Sequence, residues 1–170
     1  RILSYDYNAD TWEEKLDLPV LGNQWGAVCY DSDNDRTIII DHNGTTYAYD
    51  YNTNTYETKT STSTYHGDSG SGAYDSESGK SIFVGWNASE GQVRAYDYST
   101  DTWETLTNRP GTSSSMWLSV AYDSESDRII IFEGGGNHDN VWAYDYNNDD
   151  WEQMDDHNLQ IDANSLIAYN

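Results

Sequence analysis

The chain is 170 residues long, enough for one domain with a sizeable core, and its 30 acidic against 8 basic side chains leave a formal net charge of −22. That charge repels nucleic-acid phosphate and anionic membrane surfaces, so neither is an expected partner, and no apolar run reaches the roughly 20 residues that cross a bilayer as a helix. Disorder, common among acidic chains of low hydropathy, is excluded by 15 Tyr and 7 Trp, which a chain without a core does not carry.

From the N-terminus, residues 1–16 ("RILSYDYNADTWEEKL") predict two short strands around an Asn/Asp turn. Residues 25–59 predict four strands: an apolar, aromatic one in "WGAVCYD", a β-branched one in "RTIII", an alternating one in "TYAYDY" and a short one around Tyr56. Residues 70–106 and 116–154 predict the same four in the same order, and residues 164–170 predict the first of them again. The connections, among them "DSDND", "DSESD", "YNTNT" and "YNNDD", are turns whose Asp, Asn and Ser side chains bond their own backbone. Nothing reads as a helix of ordinary length. Cys29 is the only cysteine, which excludes an internal disulfide, and in its apolar strand it reads as a small buried hydrophobe.

Two independent markers keep one period. Tyr-Asp-Tyr opens at Tyr5, Tyr49, Tyr96 and Tyr144, spaced 44, 47 and 48 residues apart. Seven residues after each stands an aromatic: Trp12, Tyr56, Trp103 and Trp151. A second tyrosine series runs through Tyr30, Tyr74, Tyr122 and Tyr169, spaced 44, 48 and 47.

The order of β-branched strand, glycine cluster, Tyr-Asp and late Trp resembles the kelch motif. It is fullest at Ile129 to Phe132, Gly134-Gly135-Gly136, Tyr144-Asp145 and Trp151; the 81–103 unit keeps Gly85 alone, and the 38–56 unit has Gly44 and Tyr56. The resemblance covers essentially the whole chain. It implies an all-β fold, a β-propeller of four-stranded antiparallel kelch-type blades, with the first strand of each blade lining a central channel and the fourth outermost. It implies no single activity, because kelch propellers include binding modules, structural proteins and a few enzymes.

With strands A to D in each blade, residues 1–16 supply C and D only. Residues 25–59, 70–106 and 116–154 are whole blades, and 164–170 supply an A strand only, about 3.7 blades in all. The count leads to the expectation of a part of a longer propeller or repeat array, or a protomer completed by a neighbour. Unpaired blade edges recruit other chains, so the expected partners are other copies of the chain or adjacent propeller blades.

All four histidines fall on the face built from the B–C and D–A loops: His42 and His138 in the first kind, His66 and His157 in the second. With Trp86 from another B–C loop they form the expected ligand face of a carbohydrate or protein receptor. Asn43-Gly-Thr and Asn87-Ala-Ser are N-glycosylation sequons in equivalent loops, the ground for expecting a glycoprotein that is extracellular or on the cell surface. The opposite face collects acidic turns. There Asp31, Asp33 and Asp35 in "DSDNDR" resemble the start of a calcium loop, but Arg36 stands where that loop needs glycine and Ile39 where it needs an acid. An acidic hairpin turn is the stronger reading, and no other cofactor is expected.

No G-x-S-x-G, H-E-x-x-H or phosphate loop occurs. Galactose oxidase, a copper enzyme, has kelch-type blades, and Cys29, Tyr30 and His42 invite the comparison; Tyr30, however, recurs at Tyr74, Tyr122 and Tyr169, which marks a structural position. The expected function is a non-enzymatic structural or interaction module, a subunit able to assemble into filaments or rings. A carbohydrate- or protein-binding receptor is the alternative, and a galactose-oxidase-like enzyme the second. Trp12, Tyr56, Trp103 and Trp151 are expected to hold blades together from equivalent outer-strand positions.

Overall fold

The computed structural model describes residues 2–17, 26–62, 70–87, 90–110, 117–134 and 140–155. Among them are fourteen strands in four antiparallel sheets, and no helix. The first sheet is the hairpin β1 (Leu3–Asp6) and β2 (Thr11–Glu14). Three four-stranded meanders follow. They are β3 (Ala27–Asp31), β4 (Arg36–Ile40), β5 (Thr46–Asp50) and β6 (Thr55–Lys59); β7 (Ser71–Asp75), β8 (Lys80–Asn87), β9 (Glu90–Asp97) and β10 (Thr102–Thr105); and β11 (Trp117–Asp123), β12 (Arg128–Gly134), β13 (Val141–Asp145) and β14 (Asp150–Met154). The predicted strand in 164–170 lies outside the described residues.

The turns follow from two side-chain devices. An Asp ending each first or third strand accepts backbone N–H groups two or three residues on, as Asp6 does from Asn8 and Ala9, Asp75 from Glu77 and Ser78, and Asp97 from Ser99 and Thr100. The chain then enters the left-handed region at the last turn residue. Asp10, Asp35, Asn54, Asp101, Asp127 and Asp149 hold φ between 51 and 54°, and Gly79 holds +70°. One cation per meander closes the arrangement: Arg36 binds Asp50, Lys80 binds Asp97 and Arg128 binds Asp145, at 3.1, 2.5 and 2.8 Å. Each pair joins the start of a second strand to the end of a third.

The core lies between successive sheets. Cys29, Ile38, Ile40 and Ala48 of the β3–β6 sheet pack with Phe83 and Tyr96 of the next. Ile82, Val84, Val93 and Leu106 pack in turn with Val120, Ile129, Ile131 and Tyr144. Ile39, Tyr47 and Tyr49 receive Ile2 from the N-terminal side. The first strands sit side by side, β7 between β3 and β11. Gly72 makes that approach possible, since a Cβ there would meet the Phe83 ring at 2.7 Å and the Val28 carbonyl at 3.2 Å. Residues 46–49 of β5, 81–85 of β8 and 91–96 of β9 are buried, whereas β6, β10 and β14 are mostly exposed.

One loop differs from its sequence reading. Trp86 and Asn87 belong to β8, paired with Gly91 and Glu90, rather than to a loop equivalent to that of Asn43. In the first meander Asp41 accepts the N–H groups of Asn43 and Thr45 and turns the chain out of the ladder. Gly85 occupies the corresponding position, offers no acceptor, and the ladder continues.

Candidate interaction surface

Successive sheets are joined at their outer strands by one repeated set of contacts. The first tyrosine of each Tyr-Asp-Tyr donates its hydroxyl to the left-handed turn residue five positions on: Tyr5 to Asp10 at 2.7 Å, Tyr49 to Asn54 at 2.9 Å, Tyr96 to Asp101 at 2.7 Å and Tyr144 to Asp149 at 2.6 Å. That same acceptor takes a backbone N–H from the end of the preceding sheet: Leu16 to Asn54, Thr60 to Asp101, Thr107 to Asp149. The late tryptophan donates back, Trp103 Nε1 to the Thr60 carbonyl at 2.7 Å and Trp151 Nε1 to the Thr107 carbonyl at 3.0 Å. The second tyrosine completes the set, Tyr98 donating to Glu57 and Tyr146 to Glu104, while Lys15 and Lys59 sit over the Tyr51 and Tyr98 rings at 4.7 and 4.5 Å.

Register sets the recurring aromatics opposite one another, Tyr5 opposite Trp12, Tyr49 opposite Tyr56, Tyr96 opposite Trp103 and Tyr144 opposite Trp151. The rings of Tyr96 and Trp103 lie 4.8 Å apart, those of Tyr144 and Trp151 4.7 Å, and those of Tyr5 and Trp12 4.9 Å. Trp103, Trp151 and Tyr56 are half-buried against the core clusters. Trp12 departs from the expectation. It is 69% exposed, beside Tyr7 at 84%, because among the described residues no sheet lies against the outer face of β1 and β2. Tyr7 and Trp12 of the hairpin therefore stand exposed at positions that in the later sheets meet the preceding sheet.

These contacts set the electrostatics. Burial raises the carboxyl pKa of Asp101 and Asp149, yet hydrogen bonds from Thr60 and Tyr96, and from Tyr144 and Thr107, outweigh it and hold both below the ordinary carboxylate range. Burial and the Glu104 carboxylate push Tyr146 up to about 12. Lys15, Arg36, Lys59, Lys80, Arg109 and Arg128 all bind carboxylates of this chain, so little basic charge is left to offset the acidic exterior.

A second feature lies where the first strands converge. Tyr30, Ser32, Ala73, Tyr74, Ser76, Ala121, Tyr122 and Ser124 line an open concavity of about 400 Å³, the same positions taken from three successive sheets. Tyr30 and Tyr122 donate to Asp35 and Asp127. Tyr74 has Gly79 at that place, and its hydroxyl lies near Asp31 and Asp33 of the neighbouring sheet. Cys29, beneath, is 3% exposed, and burial pushes its thiol up to about 12, which keeps it protonated.

The third feature is a buried ion pair. Arg109, just after β10, binds Glu133 of β12, and both are almost wholly buried. Asn140 donates to the other Glu133 oxygen at 2.6 Å, the Arg109 backbone bridges to Gly91, and burial brings the guanidinium pKa down to about 10.

Of the residues singled out from sequence, Asn43 is exposed and His42 half-buried in the loop between β4 and β5. Trp86 and Asn87 end β8. His66, His138 and His157 lie outside the described residues. Asp31 is buried at 1% exposure and accepts the backbone and side-chain nitrogens of Asn34, while Asp35 accepts from Tyr30 and Asn52. The oxygens offered for calcium by Asp31 and Asp35 thus serve the turn, and among the described residues no group of three or more His, Cys, Asp or Glu stands together as a metal site. Sequence reasoning passed over Asp10, Asn54, Asp101 and Asp149 as junction residues, although their recurrence two places before the late aromatic was a signal. For Arg109 and Glu133, which do not recur, there was none.

No protein-family model matches the chain, and no curated protein matches it.

Proposed function

We propose that the chain is a run of kelch-type β-propeller blades acting as a non-enzymatic structural or interaction module outside the cell, one that assembles from copies of itself and carries glycans at its sequons. The order of β-branched strand, glycine, Tyr-Asp and late Trp, the face-to-face meanders and the adjacent first strands support the propeller reading. The observation that carries the functional reading is the destination of the polar chemistry. In the β7–β10 and β11–β14 sheets the second tyrosine, the left-handed turn Asp and the late tryptophan all bind the preceding sheet, and in the N-terminal hairpin the equivalent Tyr7, Asp10 and Trp12 are exposed. The exposed Asn43 supports the glycan reading. The Tyr- and Ser-lined concavity favours a second reading, a receptor that takes a polyhydroxyl ligand on stacked tyrosine edges.

Sedimentation of the 170-residue chain across salt and calcium concentrations tests the first reading. A net charge of −22 keeps free copies apart, and screening lets them meet, so the expected result is growth from single copies to larger species as ionic strength rises. A single copy at every condition would contradict it.

A further inference from the structure

We propose that the concavity where β3, β7 and β11 converge is a seat for an aliphatic polyamine, its carbon chain against the tyrosine rings and its ammonium groups on the acids of the adjoining turns. The site goes beyond both readings above and does not depend on assembly between copies.

The walls come from three complete sheets whose first strands pack on one another, so the seat is made within the chain. Tyr30, Tyr74 and Tyr122 line its space of about 400 Å³. Their hydroxyl protons are already engaged. Tyr30 donates to Asp35 at 2.8 Å and Tyr122 to Asp127 at 3.0 Å, and the Tyr74 hydroxyl lies near Asp31 and Asp33. Burial first, and then these carboxylates, raises the pKa of Tyr74 and Tyr122, so both rings stay neutral. What the tyrosines offer a ligand is therefore acceptor oxygen and aromatic ring, and both suit a cation. The chain makes the same contact internally, with Lys15 over the Tyr51 ring at 4.7 Å and Lys59 over the Tyr98 ring at 4.5 Å.

Charge selects the same class of ligand. Ser32, Ser76 and Ser124, which also line the space, are each followed by an exposed acid: Asp33, Glu77 and Glu125. The basic side chain that follows each turn is committed elsewhere, Arg36 to Asp50, Lys80 to Asp97 and Arg128 to Asp145. Among the described residues no group of three or more His, Cys, Asp or Glu could hold a metal ion, so these acids are spread over three turns rather than gathered on one point. Several ammonium groups on a flexible apolar stem match that spread, and a single metal ion does not.

Calorimetric titration of the whole chain with spermidine at fixed ionic strength tests the seat. Wild type is expected to take one spermidine per chain in a saturable isotherm. Two triple variants then carry the same change in net charge. Asp33→Asn with Glu77→Gln and Glu125→Gln neutralises the turns, whereas Glu14→Gln with Glu152→Gln and Asp155→Asn neutralises exposed acids at the outer strands. The turn variant is expected to bind about tenfold more weakly, the sum for three exposed charge contacts, and the outer variant within about twofold of wild type. Tyr30→Leu removes a ring that is 56% exposed and is expected to weaken binding by about threefold. Melting curves like that of wild type confirm the fold of each variant, and sedimentation of the same samples reads self-assembly separately. Equal weakening by the two triple variants would mean attraction to the acidic surface at large and overturns the seat. So does an unaffected Tyr30→Leu, calcium bound at these turns more tightly than spermidine, or a wild type without saturable binding.

Discussion

Glu133→Ala is expected to destabilise the fold by about 3–5 kcal/mol, the range for removing one partner of a buried ion pair. Glu133 is 2% exposed and Arg109 3%, and the guanidinium pKa is already drawn down to about 10 by burial. Without the carboxylate the charge stays in a site that water does not reach, and Asn140 loses the acceptor it holds at 2.6 Å. Because Arg109 anchors the segment leaving β10 to both Gly91 and β12, the loss also loosens one inter-sheet connection. The double change Arg109→Met with Glu133→Leu is expected to return most of the stability, since two apolar groups of similar volume need no partner. Urea unfolding measures both. A loss below about 1 kcal/mol for Glu133→Ala would show the pair to be wet in solution.

Trp151→Ala is expected to cost about 3 kcal/mol, the lower end for a core tryptophan because the ring is half-buried. It removes the stack on Tyr144 at 4.7 Å, the edge contact with Trp142 at 6.4 Å and the hydrogen bond to the Thr107 carbonyl. Trp12→Ala at the equivalent register is expected to cost below about 1 kcal/mol in the unassembled chain, since an exposed ring has little burial to lose. The contrast between two identical residues at one repeat position isolates what the neighbouring sheet contributes. Equal losses, measured by urea unfolding at low salt, would mean that the junction does not hold the units.

The strand order was legible because each strand carries period-two or β-branched runs and each turn an Asp that bonds its own backbone. Spacing alone put a late aromatic seven residues after each Tyr-Asp-Tyr, but the register that sets the two opposite each other came from the structure. The fate of each copy was not legible either. Trp12 and Trp151 stand in the same local sequence, and only the neighbouring sheet, set by packing far along the chain, makes one exposed and the other a core contact. Gly85 shows the opposite limit. A single missing carboxylate, where Asp41 stands one unit earlier, extends a hairpin and moves Trp86 and Asn87 from loop to strand. At the same position in the third meander Glu133 reaches Arg109 instead, so one repeat position carries a turn acceptor, a glycine and a buried ion. Repetition reveals what recurs, and this pair does not.

Hydrogen exchange at the indole nitrogens tests most directly the claim that one repeated junction joins the sheets inside the chain. In the unassembled chain at low salt, Trp103 and Trp151, whose Nε1–H groups bind the carbonyls of Thr60 and Thr107, are expected to exchange slowly, and the exposed Trp12 fast. Exchange of Trp103 and Trp151 as fast as that of Trp12 at low salt would contradict the account.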